Sequence, residues 1–167
     1  MQAHTVTLNT PTDTRIEVER HFHTPLSKLW RAVTEPALVK QWLLGPPGWT
    51  MPVCKSDFQI GGSYEYRWRS HDNAQEFGFI GEFQQIEPHA RIVHTETTPP
   101  AAPSASPPPE SLVTITFTEK DTATTLRTAI DYPSKQARDA ALQAGMAAGM
   151  QMSYLKLDHL LASPDLK

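Results

Sequence analysis

Eight aromatic side chains, Trp42, Trp49, Phe58, Tyr64, Tyr66, Trp68, Phe79 and Phe83, carry the densest chemical signal in this chain. In the run Ser-Tyr-Glu-Tyr-Arg-Trp-Arg from residue 63, Tyr64, Tyr66 and Trp68 fall on one face and Glu65, Arg67 and Arg69 on the other, as a half-buried strand requires. Phe77, Phe79 and Phe83 repeat the spacing on the next run, where Gly81 leaves a gap for a neighbouring ring or a ligand. Such rings either fill a core or line a ligand cavity, since pockets are mostly apolar with a few placed polar groups. Tyr64 and Tyr66 add hydroxyls that can orient what they touch.

The polar candidates are sparser. Arg20 interrupts the apolar face made by Ile16, Val18 and Phe22. It could pair with a carboxylate such as Asp57 or Glu82, the plainer reading, or hold an acidic ligand group through its bidentate fork. His21 and His23 are spaced for a shared metal ion, but no third ligand lies nearby in sequence, so no metal site is expected. His89, His94 and His159 are isolated and read as surface or capped histidines. Asp57, just before Gly61-Gly62, is expected to accept backbone N–H bonds in that turn. Cys54, the single cysteine, reads as a small apolar residue. The chain has no Gly-x-Ser-x-Gly elbow and no glycine-rich nucleotide loop, so neither a catalytic residue nor a cofactor is assigned.

The elements that must position these residues follow from periodicity. A polar, flexible segment is expected over 1–13, then a strand over 14–23. Thr24-Pro25 starts a short helix with Leu26, Leu29, Trp30 and Val33 on one side, and Glu35-Pro36 ends it and starts a second, over 37–44. Period two resumes from Val53, with Gly61-Gly62 as a hairpin turn or bulge, and a meander runs to Thr97. Residues 98–109 hold six of the fifteen prolines without an apolar period, and the stretch 98–110 is expected to be an exposed, partly extended loop. Two more strands, 111–119 and 124–132, precede one long helix over 135–162. Met146 and Met150 lie on its apolar face beside Gly145 and Gly149, glycines that suggest a close neighbour there. Six or seven antiparallel strands with one long terminal helix, and no strand–helix alternation, predict an α+β protein.

At 167 residues one domain, over 14–163, is expected. A net charge of −3 with scattered Lys and Arg gives no field to hold nucleic acid. Lacking a basic, apolar leader or a membrane-length apolar run, the chain is expected to be cytoplasmic and not membrane-inserted, as a monomer or small oligomer such as a homodimer.

Taken in order, Phe22-His23-Thr24-Pro25, Leu29-Trp30, Thr34-Glu35-Pro36, Gln41-Trp42, Gly45-Pro46, Pro52-Val53-Cys54, Asp57, Gly61-Gly62, Gly81, Ile86-Glu87-Pro88, Gly145-Met146 and Gly149-Met150 resemble the START-like superfamily. More narrowly, they resemble the small proteins related to the C-terminal domain of the heat-shock protein 90 ATPase activator. Gln59-Ile60, Leu43 and Met150 depart from residues common in that family, and the proline-rich stretch looks like an insertion. The resemblance implies a helix-grip fold, a sheet curved around the terminal helix, with an internal cavity for a hydrophobic or amphipathic small molecule. It does not imply one reaction. The foremost expectation is therefore a binding protein whose cavity is lined by the eight aromatics, Met146, Met150 and Arg20. Two alternatives stand behind it: a cyclase- or hydrolase-like enzyme using a cavity Tyr, Asp or Glu, and an interaction protein that acts on a chaperone.

Overall fold

The computed structural model describes residues 5–100, 102–103, 106 and 108–167. In chain order the strands and helices are β1 (Thr7–Thr12), β2 (Arg15–Phe22), α1 (Leu26–Thr34), α2 (Pro36–Trp42), β3 (Trp49–Ser56), β4 (Ser63–Ser70), β5 (Glu76–Glu87), β6 (Arg91–Glu96), β7 (Ser111–Lys120), β8 (Ala123–Asp131), α3 (Lys135–Gln143) and α4 (Met146–Ala162). The strands form one antiparallel sheet in the order β1-β2-β8-β7-β6-β5-β4-β3. After β2 the α1–α2 pair carries the chain to the opposite edge, and β3 to β8 meander back until β8 pairs with β2. The class is α+β, with eight strands where six or seven are expected.

Alternation decides which face of the sheet is internal. Ile16, Val18, Arg20 and Phe22 of β2 are all at most 1% exposed, and they join Phe83, Ile92, Phe117 and Leu126 under Tyr154, Leu157 and Leu161 of α4. The last helix thus lies in the hollow of the sheet. Its C-terminal half is fastened at several points. Asp158 forms a bidentate ion pair with Arg20 on β2, and Tyr154 packs edge-on against Phe22 and stacks on Trp42 of α2. Ser153 Oγ accepts from Gly45 N at 2.8 Å, and Lys156 Nζ donates to Gly45 O at 2.9 Å.

Several local expectations are corrected. Thr7–Thr12 is an edge strand paired with β2, not a flexible segment, because its backbone completes the exposed ladder of β2; residues 1–4 lie outside the described chain. Helix α1 takes Pro25, not Thr24, as its N-cap, and the Leu26 N–H is satisfied from outside the helix by Glu119 Oε1 at 2.8 Å. The long terminal helix is two helices. Gly145 sits at φ +83°, a left-handed conformation that glycine adopts without a Cβ penalty, and there the chain turns from α3 into α4. Neither Gly145 nor Gly149 has a close neighbour, so no close approach explains them. The loop over 98–110 falls partly on residues outside the described set; its stems are tied where Thr97 Oγ1 donates to Pro108 O at 3.0 Å.

Candidate functional site

The inner face of the sheet has two ends. At one, β2, β7 and β8 present apolar side chains to the C-terminal half of α4. At the other, β3 to β6 present a mixed set of aromatic and polar groups. By alternation from Ile92, a core residue, His94 and Glu96 of β6 also face inward. The bridge between Ile80 and Thr97 sets Gly81 beside Glu96, and Gly81 pairs with Tyr64 while Glu96 pairs with Ser111. One row across the sheet therefore runs Tyr64, Gly81, Glu96, Ser111.

Gly81 permits this row. A Cβ there would lie 1.9 Å from Thr95 O and 2.6 Å from the Tyr64 ring. The gap anticipated at Gly81 is thus filled by the Tyr64 ring, whose hydroxyl donates to Thr95 O at 2.9 Å. The same carbonyl lies 2.9 Å from His94 Nδ1. A carbonyl only accepts, so Nδ1 carries the proton and a neutral His94 keeps the Nε2 lone pair. Burial lowers the His94 pKa, which favours that neutral form. The ring meets Tyr64 edge-on at 4.9 Å.

Glu96 is the anomaly of the site. The residue is only partly exposed. Among the described residues no hydrogen bond or cation reaches it, and burial alone pushes its pKa up to about 7. Its charge in turn opposes ionisation of Tyr64, Tyr66 and Tyr132. Tyr66, Phe79, Met146 and Met150 are half-buried, not sealed. Tyr132 donates toward Met146 Sδ at 3.6 Å, which ties the start of α4 to this cluster. Cys54 sits opposite Tyr66 in the β3–β4 register, half-buried, its thiol pushed up by burial.

The residues singled out from sequence are distributed over three environments. Tyr64 and Tyr66 lie where the charge of Glu96 reaches them, Phe79 pairs with Tyr66, Met146 is tied in through Tyr132, and Met150 packs against the core. Trp42, Phe58 and Phe83 belong to the packed interior: the Trp42 indole donates to Ala32 O at 2.9 Å, and Phe58 bridges Trp30 and Phe83 edge-on. Trp68 donates to Leu43 O at 2.6 Å and stacks on Phe77, which Trp49 meets edge-on at the sheet margin. Arg20 is fully buried and its partner is Asp158, neither Asp57 nor Glu82, so it anchors α4. The Asp57 carboxylate accepts from the Gln59 side chain, not from backbone N–H groups. Sequence reasoning passed over Glu96 and misplaced His94. The available signal was their spacing from Ile92 by two and four residues on a strand whose apolar face is internal.

Two open depressions lie elsewhere, one along α3 at Lys135, Asp139 and Gln143, the other at His23, Asp158 and Ala162. Their carboxylates are already engaged, Asp139 by Lys135 and Arg138, Asp158 by Arg20. The Glu96 end offers the more distinctive chemistry.

The family described as "Activator of Hsp90 ATPase homolog 1-like protein" matches residues 23–162. A crystal structure of a Rhodobacter sphaeroides protein is similar at 32% identity, TM-score 0.83, covering 95% of this chain and 98% of that one. The Mycobacterium smegmatis protein Ms6760 is similar in fold at 23% identity and TM-score 0.81, covering 95% and 98%. A solution structure of an AHSA1-like protein from Aeromonas hydrophila shares the fold at 18% identity and TM-score 0.69, covering 87% and 93%. No functionally curated protein matches the sequence.

Proposed function

The chain belongs to the Activator of Hsp90 ATPase homolog 1-like family, within the START-like superfamily, and from that premise we propose that it binds a hydrophobic or amphipathic small molecule. The ligand lies between the β3–β6 end of the sheet and the N-terminal half of α4. The fold is a helix grip, and proteins of this superfamily commonly bind hydrophobic ligands in that position. The observation that carries the reading is a contrast: large side chains fill the interior around Leu157, while Tyr66, Phe79, Met146 and Met150 stay half-buried and Glu96 has no protein partner among the described residues. Methionines suit such a wall because their unbranched, polarisable chains adapt to varied shapes. Burial of apolar ligand surface would supply the affinity, at about 25 cal/mol per Å² before the entropic cost of association.

Native mass spectrometry of the purified protein, beside the same sample after denaturation, tests this. A non-covalent mass lost on unfolding identifies the ligand class. A clean apo mass, with no thermal stabilisation by a panel of lipids and aromatic compounds, sinks the reading.

One observation favours a second reading. A carboxyl with pKa about 7, within electrostatic reach of a tyrosine and on the same strand face as a histidine whose pKa burial lowers, is the equipment of general acid–base catalysis. An enzyme of the cyclase or hydrolase kind would use Glu96 as the proton carrier. Turnover of a retained ligand by the wild-type protein but not by Glu96→Gln would favour it.

A further inference from the structure

Resting on the reading of this end as a ligand site, we infer that the ligand it prefers carries a basic amine, whose ammonium pairs with Glu96 among the tyrosine rings, while its apolar body lies along Phe79, Met146 and Met150. The argument is one of charge and donors. The charge of Glu96 acts on Tyr64 and Tyr66 from β4 and on Tyr132 after β8, and His94 stands two residues before it on the same face of β6; the charge of Glu110, at the loop stem, also acts on Tyr64. Helix α4 reaches this cluster at Met146, which Tyr132 contacts and which carries no charge. None of these groups is a cation, and His94 is held neutral. Arg20, the buried arginine of the inner face, is already engaged by Asp158.

Among the described residues, these groups therefore supply acceptors and a latent negative charge but no positive one. An anionic head group, such as a fatty acid's, would meet Glu96 as a like charge in a poorly solvated hollow. An ammonium would instead form a charge-assisted hydrogen bond with it. The faces of Tyr64 and Tyr66, 5.0 Å apart between ring centroids, would add cation–π attraction. A neutral hydroxyl would gain the hydrogen bond without the charge. Selection by head group is the expected behaviour, and it sets this chain apart from a general carrier of lipid acids.

Three probes with one tail separate the possibilities: decylamine, decanol and decanoate, titrated calorimetrically into the wild type and Glu96→Gln near pH 8 and near pH 6. Glu96→Gln keeps the shape and removes the charge, so the variant should fold. The expected result is decylamine binding at least about tenfold tighter than decanoate at the higher pH. That advantage should be lost in Glu96→Gln and reduced at the lower pH, where Glu96 is protonated, while decanol binding changes little. Decanoate binding as tightly as decylamine, or an amine preference that survives in Glu96→Gln, overturns the inference. Equal binding of all three overturns it too but leaves the ligand-site reading standing. Binding of none, with a clean apo mass, removes both.

Discussion

The two halves of α4 rest on the same sheet by different physics. From Ser153 onward the helix is held by a fully buried Leu157, two tyrosine ring contacts, a buried ion pair and two bonds to Gly45. From Met146 to Met150 it has half-buried methionines and a glycine with open space around it. Close packing around a bidentate ion pair specifies one structure. Half-buried side chains, and a carboxyl that no described residue answers, set the other half apart. The protein fixes its helix at one end and keeps a different surface at the other, a division that a uniformly packed helix would not offer.

The contrast should first appear in stability. Leu157→Ala empties a fully buried position and should cost about 3 kcal/mol, whereas Met150→Ala should cost about 1 kcal/mol or less because its surroundings are already open. Urea denaturation of both variants measures the difference, and equal losses would break the comparison. Asp158→Ala leaves Arg20 without its bidentate carboxylate in the core and should cost about 2 to 3 kcal/mol, a loss that Asp158→Glu should partly restore.

Glu96 should act in the opposite sense. Its folded pKa of about 7 lies above its ordinary value of 4.5, so the folded state binds the proton more tightly and its stability falls as pH rises between those values. Glu96→Gln should be close to neutral near pH 5 and stabilising by about 1 to 3 kcal/mol near pH 8. His94, whose folded pKa is lowered, contributes a slope of opposite sign near its ordinary value of 6.5, so the difference between variant and wild type, not the wild-type curve alone, isolates Glu96. A parallel pair of melting-temperature profiles would contradict a desolvated carboxyl. The smallest effect is expected at Gly149→Ala. No atom stands within 4 Å of the added Cβ and the residue is helical, so the variant should gain about 0.5 to 1 kcal/mol; if it also weakens ligand binding, the open space there belongs to the site.

Much of this molecule is legible along the chain. The alternation of Ile16, Val18 and Phe22 marks β2, the Pro25 and Pro36 steps mark two short helices, and the aromatic run over Tyr64, Tyr66 and Trp68 marks β4, because strand and helix periods are local properties of the backbone. Family membership is legible too, since short motifs in fixed order survive in sequence. Other features depend on partners far away in the chain. Asp158 answers Arg20 from 138 residues further on, Glu119 caps α1 from β7, and β1 exists because β2 has an edge to complete. Glu96 is an ordinary acidic residue at a strand end until the sheet sets it beside Gly81 and Tyr64. Residue types and periods determined the elements and the face each one buries. Which aromatics became core, which stayed open, and that a lone carboxyl stands among them were decided by tertiary structure, because desolvation and pairing are sums over neighbours that only the fold brings together.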